Sequence, residues 1–242
     1  MRPFSALARV YDRMMADVPY AAWAAFVLSV LAGEGAYPRS VLDLGTGTGA
    51  SLEPFCAYGL TGMGLDASEA MLARARERLP GVPFVQGDFR TFQLERRFDL
   101  IVSVFDSLNN LTDPRDLRTT FQRIHAHLRP GGWFAADLNT PLGLEELWED
   151  GVWEGEGYRL VHRYDTEQRL GHIEATILTP EGPVIEHHVE RGYWPDEVAA
   201  WLSAAGFGRV RCLEYPDAAL AGRHSLRFWV FAQRPNGSPS RM

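Results

Sequence analysis

Along residues 41–138 short apolar runs alternate with stretches of helical periodicity, and no other feature constrains the fold of this chain as much. Residues 41–44, 61–65, 83–86, 98–104 and 133–138 read as brief buried strands. Between the first two, Pro54 stands in a first helical turn, Leu52, Phe55 and Cys56 point inward, and Gly59 stops the helix. Ser68 can cap the next helix, whose Met71, Leu72, Ala75 and Leu79 share a face. Asp113-Pro114 opens another, with Leu117, Phe121, Ile124 and Leu128 on one stripe, and Pro130-Gly131-Gly132 turns the chain into the fifth strand. Strands separated by helices imply βαβ units, a parallel sheet and right-handed crossovers.

From about Gly151 the texture changes. Residues 159–165, 173–179 and 184–191 look like strands with no helix between them, and Pro180-Glu181-Gly182-Pro183 is a turn. We read 151–192 as an antiparallel β insertion on the substrate side, within an α/β domain formed by 1–150 and 193–235. Pro195 starts a helix with Val198, Trp201 and Leu202 inward, stopped by Gly206, and two strands follow near 209–214 and 226–233. The polar, proline-rich tail, 235–242, is expected to fray.

Composition removes several classes of function. The 242 residues suffice for one large domain, 46% hydrophobic and 23% charged. No apolar run reaches the roughly 20 residues that span a bilayer. Residues 21–31 are apolar but short, lack a convincing cleavage site, and read as an amphipathic helix of a cytoplasmic protein. Cys56 and Cys212 suggest no disulfide framework, and no histidine or cysteine spacing suggests a metal. A net charge of −7 argues against a large nucleic-acid footprint. All 24 basic residues are arginine, and Arg74, Arg76 and Arg78 read as a solvated helix face.

The chemistry concentrates in Asp43-Leu44-Gly45-Thr46-Gly47-Thr48-Gly49. A strand ending in alternating glycines lets the backbone turn tightly and approach a ligand with no Cβ in the way. Alone, that turn could serve NAD, FAD, another nucleotide or S-adenosylmethionine (SAM). Asp66 closes the second strand about 17 residues after Gly49, near the spacing at which an acid accepts ribose hydroxyls. Asp88 follows the third strand beside Phe89, where an acid can accept from an adenine amine while the ring packs on the base. Asp43, inside the first strand, can order the loop or meet an ammonium.

These segments, with Gly64-Leu65-Asp66-Ala67-Ser68, Gly87-Asp88-Phe89, Phe98-Asp99-Leu100-Ile101 and Leu128-Arg129-Pro130-Gly131-Gly132, resemble in order the SAM-binding motifs of class I methyltransferases. The resemblance runs over residues 39–137. It implies a Rossmann-like α/β fold with a mostly parallel seven-stranded sheet, helices on both faces, and SAM as cofactor with S-adenosylhomocysteine (SAH) as product. It implies Gly45, Thr46 and Gly47 against the methionine part, Asp66 on the ribose, Ala67 and Met71 bordering the adenine, and Asp88 with Phe89 reading it. Tyr11-Asp12-Arg13-Met14-Met15, with Tyr20 and Trp23, resembles the N-terminal cover of bacterial small-molecule N-methyltransferases. That places residues 1–35 as a helical lid, with Tyr11 and Trp23 over the cofactor and Tyr11 near the sulfonium.

Phe105-Asp106-Ser107-Leu108-Asn109-Asn110 follows the fourth strand, at the edge where open α/β sheets bind ligands. We expect Phe105 against the cofactor and Asp106 or Asn109, with Tyr11, at the reacting centre. The loop lacks the Asn/Asp-Pro-Pro-Tyr/Phe signature of base and glutamine-amide methyltransferases. The expected acceptor is an amine of a small molecule, the protein a monomer or homodimer, with neither membrane nor nucleic acid as partner. A protein or tRNA acceptor, a nicotinamide oxidoreductase, an aminopropyltransferase and a catalytically silent binding subunit are the competing readings.

Overall fold

The computed structural model describes residues 4–147 and 151–236. At its centre strand β1 (Ser40–Leu44) is buried along its whole length. It lies between β2 (Thr61–Asp66) and β4 (Phe98–Ser103), parallel to both, with β3 (Phe84–Gln86) beyond β2. On the other side β5 (Leu128–Asn139) runs parallel to β4, then β11 (Arg227–Gln233) and β10 (Gly208–Leu213) close the sheet antiparallel. The order β10-β11-β5-β4-β1-β2-β3 reverses direction at β1 and β4. There the crossovers leave to opposite sides and open a crevice at the carboxyl ends of the strands.

Alternate residues of the central strands feed two cores. Leu42, Leu44, Ile101, Phe134 and Phe228 meet helices α5 (Pro114–His127) and α7 (Pro195–Ala204) on one face. Val41, Leu100, Val102, Trp133 and Trp229 meet α2 (Tyr20–Gly33) and α3 (Glu53–Ala57) on the other. Helix α4 (Glu69–Arg78) begins at Ser68, whose hydroxyl accepts from the Met71 amide as the cap pattern requires. Each wholly buried Leu or Phe here contributes about 1.5–3 kcal/mol of transfer free energy, so the layers hold by their apolar stripes.

A second, four-stranded antiparallel sheet is formed by β6 (Gly151–Gly155), β7 (Tyr158–Asp165), β8 (Leu170–Thr179) and β9 (Gly182–Arg191). The segment before α1 (Tyr11–Met14) packs on it, with Ala6, Leu7 and Val10 against Leu160, Ala175 and Ile177. Glu186 fixes that segment by accepting from the amides of Ser5 and Ala6 at 3.0 and 2.5 Å.

Several expectations need correction. Strand β6 and helix α6 (Pro141–Leu147) were not foreseen, and β5 begins at Leu128, absorbing the Pro-Gly-Gly turn. Helix α2 is not amphipathic in the usual sense, because its exposed positions are Ala21, Ala22, Ser29, Ala32 and Gly33. Arg78 does not lie on a solvated face. It bonds the Thr48 carbonyl at 3.0 Å and Asp12 at 2.9 Å, tying α1 to the glycine loop. Of the expected frayed tail, residues 237–242 lie outside the described residues.

Candidate active site

Past Leu44 the chain enters three positive-φ glycines, Gly45 (78°), Gly47 (52°) and Gly49 (81°). A Cβ on Gly45 would stand 2.7 Å from the Cβ of Ser107 and 3.0 Å from Phe89, so this turn requires glycine on both counts. Asp66 braces the loop. One carboxylate oxygen accepts from the Gly47 amide at 2.9 Å, the other from the Ser68 amide at 2.8 Å. Each oxygen keeps acceptor capacity for a ligand hydroxyl. Asp43 is wholly buried beneath the turn. Its Oδ2 accepts from Ser51 at 2.5 Å, its Oδ1 has no hydrogen-bond partner among the described residues, and burial pushes its pKa up to about 6. Tyr11, Tyr20, Gly45, Gly47, Phe105 and Ser107 line the resulting cleft.

The turn after β4 is strained. Phe105 and Asp106 both adopt left-handed φ, 58° and 48°, a conformation costing about 1–2 kcal/mol per non-glycine residue. It delivers Asp106 to a polar cluster drawn from distant strands. Arg227 at the start of β11 bonds Asp106 Oδ2 at 2.8 Å, Asp137 Oδ2 at 3.0 Å and Asn139 Oδ1 at 3.0 Å. Its guanidinium also lies over the rings of Trp23 and Phe105, at 5.7 and 5.5 Å. Asp137 is fully buried, and burial holds its pKa up to about 6 despite Arg227. Glu190, the penultimate residue of β9, joins from the insertion sheet with 7% exposure, and its Oε2 has no hydrogen-bond partner among the described residues. Tyr11 adjoins both halves, since its hydroxyl is charge-coupled to Asp66 in the loop and to Asp106 and Glu190 in the cluster.

Residues 41–132 match a family described as "Methyltransferase domain". The chain is 36% identical to the dTDP-3-amino-3,4,6-trideoxy-alpha-D-glucopyranose N,N-dimethyltransferase of Streptomyces venezuelae, over 81% of this chain and 86% of that one. It belongs to the SAM-dependent methyltransferases. A second relative, the trans-aconitate 2-methyltransferase of Acidovorax sp. (strain JS42), is 35% identical over 70% of this chain and 68% of that one. The fold matches a SAM-dependent methyltransferase from Clostridium acetobutylicum ATCC 824 with a TM-score of 0.82, covering 95% and 98% of the two chains at 22% identity.

SAM is the methyltransferase's cofactor, and the glycine-loop side of the cleft fits it. The partnerless Asp43 Oδ1 suits a cationic group, the loop admits a close backbone approach, and Asp66 retains acceptor lone pairs. When bound, SAM supplies a sulfonium-activated methyl group.

The structure brings Tyr11, Gly45, Thr46, Gly47 and Phe105 together at the cleft, with Phe89 reaching Gly45. Met71 is buried and Ala67 exposed at the start of α4. Three placements differ from expectation. Trp23 is packed behind the cleft, between Phe105 and Trp229 at 6.0 Å from each, because α2 must cover the sheet there. The Asp88 carboxylate is engaged by Arg90, at 2.8 and 2.5 Å, which holds its pKa below the usual range. Asn109 is fully buried and spends its amide on the carbonyls of Asn139 and Arg191 and the Asn139 amide, so it joins β5 to β9 and does not face a substrate. Sequence reasoning missed Asp137, Asn139, Glu190 and Arg227. Asp137 alone left a signal, an acid in the apolar run 133–138 that mirrors Asp43 in β1.

Proposed function

We propose that this methyltransferase transfers the SAM methyl group to an amine nitrogen of a small molecule. The carrying observation is the charge balance beside the cleft: two buried carboxylates, Asp137 and Glu190, and the partly exposed Asp106 face one guanidinium, Arg227. An anionic surplus favours an acceptor that arrives as an ammonium and repels a carboxylate. The aminosugar methyltransferase among the relatives supports this reading; the trans-aconitate enzyme marks the opposite one.

In this reading Gly45, Thr46 and Gly47 hold the methionine part, with Asp43 toward its ammonium. Asp66 holds the ribose, Ala67 and Met71 border the adenine, and Phe89 packs on it. Tyr11 and Phe105 exclude water above the reacting atoms. Asp106 orients the nitrogen with Oδ1, its Oδ2 being committed to Arg227 and Asn139. Alignment matters more than acid–base strength, because the leaving group is already activated.

The test is SAH release and acceptor mass gain with free and nucleotide-linked aminosugars, diamines and amino acids, against matched carboxylates and alcohols. Turnover confined to amines supports the proposal. Methylation of the carboxylates overturns it, and SAM binding without turnover on any acceptor favours the silent binding subunit.

A further inference from the structure

We infer that Glu190, supplied by the insertion sheet, is the group that binds the acceptor's ammonium and takes its proton. The inference rests on the N-methylation reading above. Asp106 and Asp137 each have Arg227 within 3.0 Å, whereas Glu190 has no ion pair among the described residues. A carboxylate with 7% exposure and a partnerless Oε2 is costly to bury, and such groups persist where a ligand completes them. Burial raises its pKa above the ordinary glutamate value, which makes its carboxylate a stronger base than an exposed one. Among its neighbours, Tyr11 and Tyr20 are held neutral by burial, and Asp106 and Asp137 each spend one carboxylate oxygen on the guanidinium, which Glu190 does not.

The placement of Glu190 is built in. The next residue, Arg191, has its carbonyl bonded by Asn109 Nδ2 at 2.6 Å, and that amide also bonds Asn139 at 3.0 Å. The following Gly192 packs so closely that a Cβ there would stand 2.5 Å from the Pro141 nitrogen. Clamp and glycine together fix the end of β9 against the end of β5. In the proposed step the ammonium passes one N–H proton to Glu190, leaving a neutral amine and a carboxylic acid. The nitrogen lone pair then forms the N–C bond as the sulfur–methyl bond breaks, its electron pair staying on sulfur. The methylated ammonium departs and Glu190 returns its proton to solvent.

The experiment is calorimetric titration of the SAH-saturated protein with D-glucosamine, its neutral counterpart D-glucose and its anionic counterpart D-glucuronate, for wild type, Glu190→Gln and Glu190→Asp. SAH affinity in each variant verifies that it has folded. Wild type should prefer the amine, Glu190→Gln should lose that preference by about tenfold to a hundredfold, and Glu190→Asp should regain part of it. Glucose binding should not move in any variant. An amine preference that survives in Glu190→Gln overturns the role of Glu190 while leaving N-methylation standing. Wild type that binds glucuronate best, or shows no amine preference, overturns the N-methylation reading and this inference with it.

Discussion

The two halves of the cleft are made differently. Asp43, Gly45, Gly47 and Asp66 belong to one βαβ unit, and their geometry follows from strand ends, positive-φ glycines and a brace from the neighbouring strand. Asp106, Asp137, Glu190 and Arg227 come from a turn, two strands of the large sheet and one of the small sheet, and meet only through packing. Local backbone chemistry thus encodes the glycine-loop half, while the charged half is encoded by the assembly. A family can keep the first and vary the second by moving side chains at strand ends.

That contrast can be broken most forcefully at Arg227. The Arg227→Met protein should lose about 3–5 kcal/mol in urea unfolding, because Asp106 and Asp137 are left without their cation. The deficit should shrink as pH is lowered and Asp137 protonates. A loss below about 1 kcal/mol would mean that the cluster is more open than its burial indicates.

Gly45→Ala attacks the other half. The new Cβ meets Ser107 at 2.7 Å under a φ of 78°, and SAH affinity should fall about a hundredfold, with about 1–3 kcal/mol of destabilisation. Unchanged SAH affinity would remove the loop from the cofactor site.

Asp43→Asn should sharpen the comparison by separating stability from binding. The folded pKa of Asp43 is about 6 against 3.8 for the ordinary carboxylate. The protonated form therefore favours folding below about pH 4, and that advantage is lost as pH rises through 6. At pH 7 the unliganded variant should be more stable than wild type by up to about 2–3 kcal/mol, with the gap closing between pH 6 and 4. SAM affinity, read by calorimetry, should fall in the same variant. A gap that instead widens in acid would show that the charged carboxylate stabilises the fold. The smallest effect is expected at Asp88→Ala. Since Arg90 already holds that carboxylate, SAM affinity should drop only a few-fold; a hundredfold loss would restore Asp88 as an adenine contact.

The strands of the large sheet were readable because each is a short apolar run bounded by glycine, proline or a capping residue. Ser68 capped α4 where it was expected, and Asp66 closed β2. Faces were harder. In β9 the buried residues are Glu186, His188 and Glu190 while Ile185 is 53% exposed, the inverse of the usual polar-out pattern. Period-2 alternation locates such a strand but does not say which set turns inward. Trp23 and Asn109 were misplaced for a related reason, since an aromatic or an amide near a site can line the cleft or buttress it, and only the packing distinguishes these.

By itself the sequence determined the α/β class, the glycine turn and the acids around it, because those depend on residues a few positions apart whose backbone conformations are set by local sterics and hydrogen bonding. The tertiary structure decided that Arg227 pairs with Asp106 and Asp137, that Asn109 clamps one sheet to the other, and that Glu190 is buried with one carboxylate oxygen left unpartnered among the described residues. Those outcomes turn on which chain segments share a low-dielectric space, where charge and hydrogen-bond balance are settled by three-dimensional neighbours and not by spacing along the chain.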